Sequence, residues 1–203
     1  MIAVVDYGMG NLRSVQKAFE HVGAEAVLTS ERATIESADG VLFPGQGCFP
    51  DAMRELTRLG LVEVLSDWVR AGRPFLGICL GHQLIFDESE EGGRVKGLGL
   101  MRGRVVRFSP GGKVPHMGWN SVRKTDAGRA CPLLDGVRDG AYFYFVHSYY
   151  PVPDDASVVA ATTDYNDTFA SVVWKGRFFS TQFHPEKSQE PGLRVLRNFI
   201  ALL

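Results

Sequence analysis

The sequence predicts an α/β fold with a mainly parallel sheet flanked by helices and with antiparallel strands added in its second half. Strand and helix patterns alternate up to about residue 90, as they do along a parallel sheet. From about residue 95 the segments are rich in β-formers. No linker or change in composition separates the two halves, so we expect residues 1–203 to form one domain.

The first half begins with the strand IAVVD at residues 2–6, and a helix follows that Asn11 caps and Gly23 ends. Three further strands are predicted at EAVLT (25–29), GVLFPG (40–45) and PFLGI (74–78). Between the last two, apolar residues at helical spacing predict two helices, the second of which ends at Gly72. The segment HQLIFDESEE (82–91) is typical of another helix.

The second half contains six β-rich segments, which we expect to extend the same sheet and to form an antiparallel flap. They are GRVVRF, VPHMGWNSV, YFYFVHSYY, SVVAAT, FASVVW and RFFSTQF. The closing segment PGLRVLRNFIALL predicts a helix with one apolar face, formed by Leu193, Leu196, Phe199, Ile200 and Leu203.

Composition excludes several classes of protein. The 22 Lys and Arg residues nearly balance the 23 Asp and Glu residues without a long run of one sign, which argues against a nucleic-acid partner. No segment has the ~18 consecutive apolar residues of a membrane span, and the first residues do not form a secretory signal. The three cysteines are far apart and lack CxxC spacing, so we expect no disulfide framework, no cysteine-based zinc site and a reducing cytoplasm.

The stretch GICLGHQ, residues 77–83, has the G-x-nucleophile-x-G spacing of a nucleophile elbow between a strand and a helix. In that setting Cys79 lies at a helix N-terminus, where free N–H groups favour a thiolate. Unpaired cysteine is also among the most buried residue types, so the stretch alone leaves open a buried strand residue.

A base for that nucleophile is predicted in FHPEKS, where His184 and Glu186 follow a strand. Taken alone, the segment is also typical of a surface loop with two polar residues. Together with Cys79, it completes a set of nucleophile, base and orienting carboxylate.

Acyl chemistry also needs donors for an oxyanion. The backbone N–H of Leu80 is one candidate by elbow geometry. The segment PGQG supplies Gly45, Gln46 and Gly47 as others, although an ordinary turn describes it equally well. The remaining histidines have no metal-ligand spacing, and we expect His116 and His147 to be structural.

The segments GICLGHQ, FHPEKS and PGQG together resemble the triad-type (class I) glutamine amidotransferases over essentially the whole chain. The resemblance implies a flavodoxin-like, mainly parallel sheet. Three further segments, DYGMGNLRSV, VPHMGWNSV and YFVHSYY, are similar to the glutaminase subunits of imidazole glycerol phosphate synthases. A subunit for another pathway and a non-catalytic thiol-bearing module are the competing interpretations, and the DYGMGNLRSV start argues against the former.

The resemblance implies that Cys79 attacks the side-chain amide of glutamine, that His184 protonates the departing ammonia and that Glu186 orients His184. Water then hydrolyses the glutamyl thioester, and no cofactor or metal takes part. The substrate's amino and carboxylate groups would be held by Gln83 and Glu91, with main-chain contacts from the HSYY segment that contains Ser148 and Tyr149.

The family's partner is a (β/α)8-barrel cyclase subunit, which receives the ammonia and makes imidazole glycerol phosphate and AICAR in histidine biosynthesis. Trp119, Tyr144 and Lys187 match positions at or near that interface, although core packing is the competing explanation for the two aromatic residues. The chain departs from the family at His82, which is more often Met, and at Gln46 and Cys48, which are more often Val and Ala. We expect Gln46 to affect how tightly basal glutaminase activity is suppressed.

Overall fold

The computed structural model describes all 203 residues. Its first half contains, in chain order, β1 (Ile2–Val5), α1 (Leu12–His21), β2 (Ala26–Thr29), α2 (Arg32–Ser37), β3 (Gly40–Gly45), α3 (Phe49–Arg58), α4 (Leu61–Arg70), β4 (Phe75–Cys79) and α5 (Leu80–Leu84). The predicted helix between Asn11 and Gly23 is confirmed, and the Asn11 side chain accepts a hydrogen bond from the Ser14 N–H at 3.4 Å. The short helix α2 was not predicted, because it buries only Ile35 and has no side-chain cap.

The second half contains β5 (Phe86–Ser89), β6 (Val95–Lys96), β7 (Met101–Arg107), β8 (His116–Lys124), α6 (Asp126–Arg129), β9 (Ala141–His147), β10 (Tyr149–Pro153), β11 (Val159–Asp164), β12 (Thr168–Lys175), β13 (Phe178–Thr181) and α7 (Gln189–Ile200). None of the helices combines the length and apolar character that crossing a membrane requires.

The main sheet has nine strands in the order β2-β1-β3-β4-β13-β12-β11-β8-β9. The first five are parallel to one another, and the remaining four extend the sheet by antiparallel pairing. The predicted fold class, a parallel sheet with added antiparallel strands, is therefore confirmed. Strand β13 comes from near the end of the chain but pairs with β4 at the centre, so it brings the FHPEKS segment next to GICLGHQ.

A second sheet of four strands, in the order β10-β7-β5-β6, corrects one prediction. The segment HQLIFDESEE is not one helix: α5 ends at Leu84, and β5 then pairs in parallel with β7 and antiparallel with β6. Tertiary pairing overrides the local helical pattern because Phe86 and Ser89 become buried in this sheet. GRVVRF and the end of YFYFVHSYY pair antiparallel in this second sheet, which agrees with the antiparallel flap expected in the second half.

The core consists of two apolar layers, one on each face of the main sheet. Alternate residues of β1 divide between them: Ile2 and Val4 join the layer under α1 and α7, while Ala3 and Val5 join the layer under α3 and α4. Because helices cover both faces, the carboxyl ends of the parallel strands are left for a site. At that edge the chain places the segments after β3, β4 and β13 side by side.

Candidate active site

Cys79 lies on a sharp turn between β4 and α5, as the elbow pattern predicts. Its backbone has φ 56° and ψ −107°, a left-handed conformation that non-glycine residues rarely adopt. The flanking glycines are required sterically. A Cβ on Gly81 would lie 1.8 Å from the Phe43 carbonyl oxygen, and one on Gly77 would lie 3.0 Å from the Ser180 Cβ. The strained turn places Cys79 at the end of the central strand, where the residue is 5% exposed and lines a cavity.

His184 and Glu186 form a buried pair directly after β13. The imidazole Nδ1–H donates to Glu186 Oε1 at 2.7 Å, and the two side chains are 3% and 2% exposed. The alternative of a surface loop is therefore wrong. The chain between them turns through a short 3₁₀ helix, Pro185–Lys187. Ser188 fixes this turn because its hydroxyl donates to the His184 carbonyl oxygen at 2.6 Å.

The charges around His184 determine its protonation. Burial by itself would lower the pKa of the imidazole, but the adjacent Cys79 thiolate and then the Glu186 carboxylate raise it to about 10. Since Nδ1–H is engaged by Glu186, the other ring nitrogen, Nε2, is the one that carries the exchangeable proton. Nε2 is buried and has no hydrogen-bond partner, so it is free to exchange a proton with the thiol or a reacting group.

The PGQG segment lies beside the elbow, because Gly45 at the end of β3 is in register with Cys79. The main-chain N–H groups of Gln46 and Gly47 make no hydrogen bond within the protein. Both residues line the same cavity as Cys79 and Leu80. The segment therefore provides free donors near the thiol, which is the requirement for an oxyanion hole.

The cavity in front of Cys79 has a volume of about 330 Å³. It contains all four residues that the resemblance assigns to the substrate, namely Gln83, Glu91, Ser148 and Tyr149. Glu91 is anchored at the start of α3, where its Oε2 accepts a hydrogen bond from the Phe49 N–H at 2.9 Å, and burial raises the pKa of its carboxyl group. A larger cavity of about 510 Å³ beside Trp119 contains no triad residue.

The three residues expected at a partner interface lie together near the triad. The Trp119 and Tyr144 rings are 6.3 Å apart, and Lys187 Nζ lies 5.7 Å from the centre of the Tyr144 ring. Core packing does not describe Trp119, which is 47% exposed. Met117 and Tyr142, 63% and 57% exposed, enlarge this apolar surface and were not predicted. Their positions on the outer face of β8 and β9 become visible only once the register of the two strands is known.

His82 is fully buried, and its ring joins the elbow helix to the main sheet. Its Nε2 donates to the Ala170 carbonyl oxygen at 3.1 Å, and its Nδ1 accepts from the Ser180 hydroxyl at 2.6 Å. Burial lowers the pKa of this histidine to about 4, so it is neutral. His82, one of the three departures from the family pattern, is thus a structural link between α5, β12 and β13.

Two residues of the site were missed by sequence reasoning. Gln182 is fully buried and accepts a hydrogen bond from Gln83 Nε2 at 3.2 Å, and the Val146 carbonyl oxygen lies 3.8 Å from Cys79 Sγ. Gln182 lies two positions before His184 but follows the polar residues Ser180 and Thr181, so the local sequence carries no distinct signal for its role. No group of three or more His, Cys, Asp or Glu side chains is placed to hold a metal ion.

Comparison with known proteins identifies similar chains. A family model described as glutamine amidotransferase class-I matches residues 3–202. The imidazole glycerol phosphate synthase subunit HisH of Syntrophotalea carbinolica is 55% identical, and the match covers 98% of each chain. The subunit of the same name from Geobacillus kaustophilus is 51% identical over 100% of this chain and 97% of the relative.

Solved structures share the fold at low sequence identity. A crystal structure of a glutamine amidotransferase superposes with a TM-score of 0.74 and 21% identity, covering 100% of this chain and 98% of the other. PurLQS from Thermotoga maritima gives a TM-score of 0.78 and 18% identity, covering 99% and 97%. At these identities the likeness concerns the fold alone.

Proposed function

We infer that this chain, which belongs to the class-I glutamine amidotransferases and within them to the HisH subunits of imidazole glycerol phosphate synthase, hydrolyses glutamine to glutamate and ammonia. The observation that carries the mechanism is the placement of Cys79, on a strained elbow, next to the buried pair of His184 and Glu186. These three residues are the proposed catalytic triad.

In the first half of the reaction, the Cys79 thiolate attacks the side-chain amide carbon of glutamine. The negative oxygen that forms is stabilised by N–H groups of Leu80 and of the segment Gly45–Gly47. The C–N bond then breaks, and the nitrogen leaves as ammonia after it receives the proton of His184 Nε2. The raised pKa of His184 supports this step because the imidazole holds a proton for the leaving group.

In the second half, the glutamyl group is bound to Cys79 as a thioester. His184, now neutral, removes a proton from a water molecule, and the resulting hydroxide attacks the thioester carbon. Breakdown of this intermediate releases glutamate and restores the thiolate. Glu186 holds the Nδ1–H throughout, so Nε2 stays directed toward the reacting groups.

Substrate binding uses residues that line the cavity in front of Cys79. We assign Gln83 and Glu91 to the amino and carboxylate groups of glutamine, with main-chain contacts from Ser148 and Tyr149. The carboxyl group of Glu91 can meet the substrate's charges in either protonation state: ionised, it attracts the ammonium group, and protonated, it donates to the carboxylate.

The proposed partner is the (β/α)8-barrel cyclase subunit, which would consume the ammonia in histidine biosynthesis. We place its docking surface at Trp119, Tyr144 and Lys187, extended by Met117 and Tyr142. This apolar surface is exposed. It lies close to the triad, because the Tyr144 and His184 ring centres are 6.5 Å apart. A domain spanning residues 1–203 that works in the cytoplasm fits the three free cysteines.

The test is covalent labelling by 6-diazo-5-oxo-L-norleucine, a glutamine analogue that alkylates a catalytic thiol, together with glutamine hydrolysis with and without the purified cyclase. We expect one label per chain, its loss in Cys79→Ser, and stimulation of hydrolysis by the cyclase. Cys48→Ser is the matched control and should label normally. Absence of labelling even with the cyclase present would contradict the glutaminase function, and labelling without stimulation would contradict the partner.

A further inference from the structure

The side-chain amide of Gln83 is held in one orientation by two acceptors. Its Nε2 donates to the Tyr149 carbonyl oxygen at 2.9 Å and to Gln182 Oε1 at 3.2 Å. A carbonyl oxygen can only accept, so the NH₂ group of Gln83 must be on this side. Both of its N–H bonds are then used.

The oxygen of the same amide is directed differently. Gln83 Oε1 makes no hydrogen bond within the protein, and it is not among the buried atoms that lack a partner. Because Gln83 lines the cavity in front of Cys79, this accessible oxygen is the polar atom that Gln83 offers to a ligand there. An oxygen acceptor at this point suits a cationic donor such as an ammonium group.

One of the two acceptors is itself fixed by a chain of neutral side chains. The Tyr149 carbonyl oxygen also accepts from His147 Nδ1–H at 2.8 Å. With its proton on Nδ1, His147 must accept at Nε2, where His116 Nδ1–H donates at 3.0 Å. His116 in turn accepts from Asn120 Nδ2 at 3.2 Å. Each ring nitrogen of His147 and His116 has one partner in this chain, so the orientation of every member depends on the next.

The other acceptor, Gln182, is placed by the strand that leads to the triad. Its main-chain N–H donates to the Ser171 carbonyl oxygen at 2.9 Å, and its side chain is fully buried. The side-chain Nε2 has no partner. Burying this amide costs free energy, and the contact with Gln83 is the one hydrogen bond that its side chain makes in return.

We propose that Gln182 and His147 are positioning residues, which fix the Gln83 amide with its oxygen toward the cavity and so make the site selective for substrates that carry a cationic α-amino group. If the amide turned over, its NH₂ group would face the substrate's ammonium, and two donors would oppose each other. The inference rests on the glutaminase function proposed above and adds the source of its selectivity at the amino end.

The test compares two covalent inhibitors that differ only at the α-carbon: 6-diazo-5-oxo-L-norleucine and 6-diazo-5-oxohexanoic acid, which lacks the amino group. Inactivation rate constants are measured for the complex with the cyclase. In Gln182→Met, which keeps the volume but removes the acceptor, we expect the preference for the amino compound to fall about tenfold. The rate with the deamino compound should stay close to that of the wild type.

An unchanged preference in Gln182→Met would overturn the proposal, and so would an equal loss of rate with both compounds, since that is the result of a general structural defect. Failure of the glutaminase function is distinguishable, because neither compound would then label Cys79 in the wild type.

A second pair of variants, at His147, tests the other acceptor of the Gln83 amide, the Tyr149 carbonyl oxygen. This test remains available even if Gln182→Met does not fold. His147→Asn places an amide donor where Nδ1–H lies and can still hold the Tyr149 carbonyl. His147→Gln places its amide near the position of Nε2 and cannot. We expect His147→Asn to retain more of the preference for the amino compound, with His147→Gln lower by about threefold or more. Equal preferences in the two variants would overturn the role of His147.

Discussion

Two buried histidines, His184 at the sheet edge and His82 below the elbow, differ in their neighbours more than in their burial. Their pKa values move in opposite directions: burial lowers that of His82 to about 4, whereas two negative groups outweigh burial at His184 and raise its pKa to about 10. Burial alone therefore does not assign a role to a histidine. The charge of its partners decides whether it is a neutral link or a proton carrier.

The hydrogen bonds of the two imidazole rings also distinguish His82 from His184. Both ring nitrogens of His82 are used, one by Ser180 and one by Ala170, so the ring has no site for a reacting proton. At His184 only Nδ1 is used, and Nε2 is buried without a partner. A buried ring nitrogen without a hydrogen-bond partner destabilises a folded protein. A catalytic role explains why His184 has one beside the thiol.

The same substitution at both positions separates the two roles most strongly. Asparagine retains a polar group near Nδ1 and removes Nε2 in each case. We expect His184→Asn to lower kcat for glutamine hydrolysis by about 10²–10⁴-fold while the chain stays folded, because Nε2 carries the proton there. His82→Asn should keep kcat within about threefold and lose stability instead, since it removes the bond to Ala170 and leaves a small cavity.

The measurements are steady-state hydrolysis with the cyclase present and urea unfolding of each variant. Similar kcat values in the two variants would mean that neither histidine is the proton carrier. A larger stability loss for His184→Asn than for His82→Asn would show that the catalytic pair, not the buried link, supports the fold.

The next largest expected effect is on the pH dependence of stability, to which His82 contributes. A folded-state pKa of about 4 for His82, against 6.5 for the free side chain, means that the unfolded chain binds more protons between these values. The free energy of unfolding is therefore unaffected by the titration of His82 above pH 6.5. As the pH falls toward 4, this residue lowers it by about 3 kcal/mol. The free energy of unfolding at pH 7 and pH 4.5 should differ by less in His82→Asn than in the wild type. Equal pH dependence would place the acid sensitivity elsewhere.

The parallel part of the fold, and the meeting of Cys79, His184 and Glu186 at one edge of the sheet, could be predicted from the sequence because both depend on local patterns. Strand and helix periods alternate clearly from β1 to β4, and Cys79, His184 and Glu186 each lie in a short segment with its own signature. The structural role of His82 could not be predicted, since its partners lie 88 and 98 residues away along the chain. The same holds for β5, whose strand character comes from pairing with β7, and for Gln182, whose contact with Gln83 spans 99 residues.

Removing the negative charge of Glu186 should lower the pKa of His184, and so make this histidine more like His82. In Glu186→Gln, the amide oxygen can still accept the Nδ1–H, but the negative charge that helps to raise the pKa of His184 is gone. The protonated imidazole then survives only to a lower pH, so the high-pH limb of kcat/KM should shift to lower pH. We also expect kcat at neutral pH to fall about tenfold to hundredfold. An unchanged high-pH limb would mean that Glu186 orients the ring without affecting its charge.

The smallest expected effect concerns the neutral partner of His82. Ser180→Ala removes the hydroxyl that donates to Nδ1 at 2.6 Å and leaves a buried acceptor unpaired, at a cost of about 1 kcal/mol in the free energy of unfolding. Ser180 contacts no triad side chain by hydrogen bonding, so kcat should change little. In the His82→Met background the same change should be neutral or stabilising, because the hydroxyl has no ring nitrogen to bond there. The double-mutant cycle measures this coupling directly. If the two changes are additive, the bond does not stabilise the fold, and the neutral state of His82 follows from burial alone.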